Sequence, residues 1–242
     1  MSTVPGDNQA CCTIPPAVSD YKPKGTSEVV EGIQTYVIGD KSSKKAIIVA
    51  PDVFGTVPLT QQGCDLLASQ GFYVMFPDLL GDQAMTEKDL THPYTPEERQ
   101  TMRSKFFGGI GNPTNHVPFF TKVAERLKSE GFTVGSIGYC WGAKIVFLAG
   151  ASGLYNAVAV AHPSMLTPED AENCKAAIGL YLTKDESVET MEAIISRAAD
   201  YKLYSETFHG FAAGRANLVD PVHKAAYEDV YQRMSSFLQK QL

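Results

Sequence analysis

Nowhere among the 242 residues does an apolar run approach the roughly 20 needed to span a bilayer, so no membrane partner is expected. The opening stretch, MSTVPGDNQACC, has no basic segment followed by an apolar one, the pattern of a secretory signal. Basic charge is scarce as well. Lysine and arginine total 21 against 27 aspartates and glutamates, for a net charge of −6. Gripping a phosphate backbone takes a basic surplus on one face, which excludes nucleic acid as an expected partner. The five cysteines, Cys11, Cys12, Cys64, Cys140 and Cys174, form no CxxC pair, and no HxxxH occurs. An odd, irregular set in a chain of this size argues against a disulfide framework, and unclustered ligand types argue against a metal site. A reduced, cytoplasmic protein without a bound metal is the expectation.

What the chain does contain is alternation between apolar runs and helical stretches. AIIVA (46–50) is continuously apolar, as befits a strand covered on both faces. Gln34–Ile38, Phe72–Phe76, Phe132–Gly138, Asn156–Ala161, Ala177–Leu182 and Lys202–Phe208 read as further strands. Helical patterns separate them, beginning with LTQQGCDLLASQG and FFTKVAERLKSEG and ending with a C-terminal helix. The fold class expected is α/β: one doubly wound domain over residues 23–242, preceded by a loosely held arm over 1–22. Residues 79–115 are too long for a structureless connector. They are expected to carry a helix capped by Thr95 ahead of Pro96 and, leaving a strand's carboxyl end, to wall or cover a pocket.

The segment Gly138-Tyr139-Cys140-Trp141-Gly142 is a G-x-C-x-G at a predicted strand-to-helix junction. A tight turn there lifts the central side chain clear of the sheet, and the glycines two residues away make room for strand and helix to approach. The adjacent helix amino end favours a thiolate and a developing oxyanion. Taken alone, Cys140 reads equally well as a small buried hydrophobe. Chain order adds weight: Asp185 follows one later strand and His209 the next, the succession of nucleophile, acid and base in α/β-hydrolases. A free thiol is only a few per cent ionised at neutral pH, so a histidine within reach would supply the thiolate, with an aspartate orienting the ring. Singly, Asp185 also fits a turn or helix cap, and His209 a satisfied histidine at a strand end. Glu186, beside Asp185, is the rival acid. His162 also follows a strand and is expected in the pocket, whereas His92, His116 and His223 read as surface residues.

With these residues in place the sequence resembles the dienelactone hydrolase family, cysteine esterases on a compact α/β-hydrolase fold, and most of all its eukaryotic branch. The resemblance is carried by APDVFGT (50–56), FPDLLGD (76–82), GYCWGAK (138–144), HPS (162–164), TKDE (183–186) and HGFA (209–212). It implies hydrolysis of a small ester or lactone without a cofactor, through a thiolate and an acyl-enzyme. It also implies an oxyanion hole from the backbone N–H groups of Val53 and Trp141. The family's cysteine-activating glutamate matches Asp52, which is a methylene shorter and equally suits a loop aspartate bonding its own backbone. Family arginines that hold a substrate carboxylate are missing at Asp82-Gln83, and Arg215 is displaced by two residues from the second such position. Arg103 or Lys105 are possible stand-ins. Phe54, Tyr139, Trp141 and Phe211 suit either an apolar pocket or the core.

The same triad would serve a thioesterase or acyl-transfer enzyme. A non-catalytic scaffold with a redox-sensitive Cys140 is the alternative of another class. A monomer or homodimer is expected.

Overall fold

The computed structural model describes residues 15–242. Eight strands form one sheet in the order β1-β2-β4-β3-β5-β6-β7-β8. The ranges are β1 Thr26–Val30, β2 Ile33–Ile38, β3 Lys45–Ala50, β4 Tyr73–Pro77, β5 Thr133–Tyr139, β6 Ala157–Ala161, β7 Ala177–Thr183 and β8 Ala198–Tyr204. Antiparallel pairing is confined to β1–β2 and β2–β4, and the other neighbours run parallel. The β1–β2 hairpin closes on Glu31 and Gly32, both at positive φ, the two-residue turn whose twist matches that of paired strands.

The helices are α1 Pro58–Ser69, α2 Glu87–Thr91, α3 Pro96–Gly108, α4 Val117–Ser129, α5 Gly142–Gly150, α6 Pro168–Asn173, α7 Val188–Ile195 and α8 Pro221–Gln241. Alternation along the strands splits the core in two. On β3, Ala46, Ile48 and Ala50 join one apolar cluster, while Ile47 and Val49 join the other. Helices α4 to α7 cover the first face through side chains such as Phe120, Val146, Ala171 and Ile194. Helices α1 and α8 cover the second through Leu67, Val230 and Met234. Helix α5 is apolar nearly all round and correspondingly buried, its Lys144 reaching Asp170 at 2.6 Å. Each buried aliphatic or aromatic side chain contributes about 1.5–3 kcal/mol, so this two-sided burial is what holds the parallel strands together.

The expected strands are present, with one displaced. The last was expected over 202–208 but spans Ala198–Tyr204, and residues 205–208 form the turn before His209. The preceding helix ends at Ile195. Helix α3 starts as expected, with Thr95 and Glu98 in a reciprocal capping box and Pro96 in the first turn. Two short helices, α2 and α6, and the exposed edge strand β1 were not anticipated.

The described part of the arm, residues 15–22, is irregular yet tied down. The Ala17 N–H donates to the Gly214 carbonyl at 2.8 Å, and the Tyr21 hydroxyl to Asp65 at 2.6 Å. Asp65, buried in α1, also receives the Lys24 N–H and the Tyr36 hydroxyl. That carboxylate anchors the segment, so the looseness expected through residue 22 does not extend over 15–22. Cys11 and Cys12 lie outside the described residues. Among those described, no helix is long and apolar enough to cross a membrane.

Candidate active site

Between the end of β5 and the start of α5 stand only Cys140 and Trp141. Cys140 takes a φ of +51°, a left-handed conformation that costs a residue with a side chain roughly 1–2 kcal/mol. The turn is possible because its flanks lack side chains. A Cβ on Gly138 would lie 2.6 Å from the Gly142 carbonyl oxygen, and one on Gly142 would lie 2.4 Å from that of Pro51. The β6 end secures the turn from the side: Cys140 N–H donates to the Ala161 carbonyl at 3.3 Å, and the Ser164 N–H to the Cys140 carbonyl at 2.9 Å. Ser164 Oγ lies 3.7 Å from the thiol.

The imidazole of His209 faces the thiol from the loop after β8, and the two interact electrostatically. On the ring's other side, Nδ1 lies 2.6 Å from Glu186 Oε1. The second oxygen of Glu186 accepts the Thr183 N–H at 2.6 Å and the Thr183 hydroxyl at 2.8 Å, which fixes the carboxylate at the tip of β7. Burial pushes the His209 pKa down, but the charges and hydrogen bonds of Cys140 and Glu186 outweigh it and raise the group to about 9. Cysteine, imidazole and glutamate are all buried.

Here the expectation for Asp185 is corrected. Its Oδ2 accepts the backbone N–H of His209 at 2.7 Å, while the ring is met by the adjacent, longer Glu186. Both carboxylates thus engage the same histidine, one through the main chain and one through the side chain. At the β7 tip it is Glu186 Oε1 that reaches the ring.

Asp52 is buried in the loop after β3, and backbone N–H groups engage both its oxygens: Phe54 at 2.9 Å on Oδ1 and Gly214 at 2.9 Å on Oδ2. Burial raises its pKa against those two bonds and against the charges of Arg215 and His209. Asp52 therefore joins the β3 loop to the histidine loop, an arrangement close to the backbone-bonding alternative but spanning two loops. The Val53 carbonyl accepts the Met85 N–H at 2.8 Å, tying the same loop to residues that follow β4. The Trp141 N–H lies at the amino end of α5, where helix donors lack intrahelical acceptors.

Arg215 is buried, its guanidinium 4.8 Å from the centroid of the Phe54 ring. Phe211 lies against Tyr204 and His162. Tyr139 belongs to the core: it faces α8, donates its hydroxyl to that of Tyr231 at 2.8 Å, and packs in the second apolar cluster. Trp141 is fully buried and donates its indole N–H to the Gly111 carbonyl at 2.6 Å.

His116 also departs from expectation. It was read as a surface residue, yet it is buried edge-on against Trp141, with Nε2 2.7 Å from the Ile110 carbonyl oxygen. Together His116 and Trp141 fasten the end of the 79–115 segment to the elbow. Lys105 lines a cavity of about 350 Å³ within that segment, with Met85, Met102, Phe106 and Ile110 among its walls. Sequence reasoning passed over Ser164 as a neighbour of the thiol, although HPS had been singled out and Ser164 stands two residues beyond His162.

The sequence pattern of the dienelactone hydrolase family matches residues 33–242. The chain is 32% identical over 219 residues to an uncharacterised AIM2 family protein of Schizosaccharomyces pombe, covering 86% of this chain and 87% of that one. It is 24% identical over 234 residues to dienlactone hydrolase 1 of Gibberella moniliformis, covering 90% and 88%. Among solved structures, a dienelactone hydrolase from Anabaena variabilis superposes with a TM-score of 0.64 at 14% identity, covering 93% of this chain and 100% of that one. With the α/β-hydrolase sheet and a match reaching from β2 to the C-terminal helix, this chain belongs to the dienelactone hydrolase family and is an ester or lactone hydrolase.

Proposed function

We propose that the chain hydrolyses a small ester or lactone by covalent catalysis, with Cys140 as nucleophile, His209 as base and Glu186 as the carboxylate that orients the imidazole. The observation that carries this is the position of the His209 ring, which interacts with the Cys140 thiol and is hydrogen-bonded to Glu186. An imidazole raised to about 9 is protonated at neutral pH, so it holds its proton beside a thiolate. Glu186, fixed by Thr183, stabilises the charged ring and sets its tautomer.

The thiolate attacks the ester carbonyl, and the oxyanion that develops is received by the N–H groups of Val53 and Trp141. His209 gives its proton to the departing alkoxide, the C–O bond breaks, and an acyl-thioester remains on Cys140. The neutral imidazole then removes a proton from water as it attacks the thioester; the C–S bond breaks, the acid is released, and the thiolate and protonated imidazole are restored. Asp52 keeps the Val53 loop and the His209 loop in register by bonding to both. Because the Asp52 carboxylate neighbours and offsets the buried Arg215 charge, uncharged acyl groups suit the site best.

The test is the pH dependence of two rates, Cys140 alkylation by iodoacetamide and p-nitrophenyl acetate hydrolysis, in the parent and in His209→Ala. Both rates should titrate below the range of a free thiol in the parent and fall together in the variant, with mass spectrometry finding the acetyl group on Cys140. Hydrolysis that survives in Cys140→Ala would sink the proposal.

A further inference from the structure

Next to the base lies a further ionisable side chain that the chemistry above does not use. His162 follows β6 directly and is fully buried, and among the described residues neither ring nitrogen has a hydrogen-bond partner. Its φ of +41° places it, like Cys140, in the left-handed region that favours glycine. Its ring centroid is 5.1 Å from that of His209 in an edge-to-face arrangement, and 5.9 Å from those of Phe211 and Tyr139. One residue therefore carries two penalties: a strained backbone and buried polar atoms left unpaired. A phenylalanine would fill the same space between Tyr139, Phe211 and His209 without the second penalty. Backbone strain next to reacting groups, combined with an unsatisfied buried imidazole, is what a contact completed only by substrate would leave behind.

The charge state of this imidazole narrows its role. Burial, together with the positive charges of His209 and Arg215, holds its pKa well below the ordinary value. A ring kept neutral carries one N–H donor and one bare nitrogen. It competes with His209 for no proton.

We propose that His162 is a substrate-contact residue whose neutral imidazole donates a hydrogen bond to a second oxygen on the acyl group, close to the scissile carbonyl. The proposal rests on the ester or lactone hydrolysis proposed above and names a class within it: esters and lactones carrying an ether, keto or hydroxyl oxygen near the reacting carbon. A purely hydrocarbon acyl group leaves the ring unpaired in the bound state, and sites built around a buried polar group discriminate strongly against ligands that lack its partner.

Two isosteric substrates test this, p-nitrophenyl methoxyacetate and p-nitrophenyl butanoate, which differ by an oxygen in place of a methylene. The quantity read is the ratio of their kcat/KM values, divided by the same ratio for hydroxide-catalysed hydrolysis so that intrinsic reactivity cancels. The parent should favour the methoxyacetate. His162→Phe, or His162→Leu should the first not fold, should lower the ratio by about tenfold or more, chiefly through KM, and His162→Gln, which keeps an N–H, should recover part of it. An unchanged ratio in an active apolar variant, or equal loss on both esters, would mean that His162 is packing only and would overturn the proposal. A parent in which Cys140 forms no acyl-enzyme with either ester would instead overturn the proposed function, and this inference with it.

Discussion

Cys64 and Cys140 are buried to the same degree, each 1% exposed, yet the molecule treats the two thiols in opposite ways. Cys64 lies within α1, packed in the apolar layer under α8 and followed directly by the Asp65 carboxylate. Burial, aided by that negative charge, pushes its thiol well above the ordinary range. Cys140 stands on a left-handed turn, interacting with an imidazole that is itself raised to about 9. Low exposure by itself makes a thiol inert. What separates the two sites is a partner able to carry positive charge, held by a carboxylate behind it.

The sharpest break of the comparison is to remove each thiol in turn. Cys140→Ala should lower kcat/KM for p-nitrophenyl acetate by at least about 10³-fold, in line with loss of a covalent nucleophile. Next in size is loss of the carboxylate behind the imidazole. Glu186→Gln should cost about 10²- to 10⁴-fold in kcat, and Asp185→Asn, whose carboxylate accepts the His209 backbone N–H rather than the ring, less than about tenfold. A reversed order would restore Asp185 as the orienting acid.

The same pair makes a stability prediction. A histidine raised from 6.5 to about 9 in the folded chain contributes stability that is fully present below about pH 6.5 and is lost as pH rises through about 9. The parent's melting temperature should therefore fall over that window, and in Glu186→Gln the fall should begin at lower pH.

Glycines beside the two cysteines refine the contrast. Gly142→Ala drives a Cβ into the main chain of Ala50 and Pro51, whereas Gly63→Ala meets the ring and hydroxyl of Tyr231. Both should lose stability in urea melts, by about 1–3 kcal/mol or more. Only the elbow variant should also lose activity per folded molecule. The smallest effect is expected of Cys64→Ala, with kcat/KM within about twofold of the parent and stability lower by about 1 kcal/mol for the sulfur removed.

Much of this was legible in the chain because it depends on local rules. Continuous apolar runs identified the buried parallel strands, Thr95-Pro96 marked a helix start, and two glycines around Cys140 marked the elbow. Edge strands were harder. β1 is almost wholly exposed and so lacks an apolar signature, and the half-exposed start of β8 follows α7 with no glycine or proline to mark the boundary. The choice between Asp185 and Glu186 is not local at all. It depends on how Thr183 captures one oxygen of Glu186, a contact that needs the turn at the tip of β7. His116 escaped notice for a similar reason: its burial against Trp141 joins residues 25 apart in sequence, in different elements.

The complete burial of Cys140 and His209 bears on timing. With the thiol behind the surface in the resting fold, reagent and substrate alike must wait for a fluctuation that uncovers it. Alkylation should then rise with reagent concentration only until capture outpaces reclosure, and level off at a rate belonging to the protein alone. That plateau is the frequency at which the molecule opens, and it sets a ceiling on turnover for any substrate that binds only the open form.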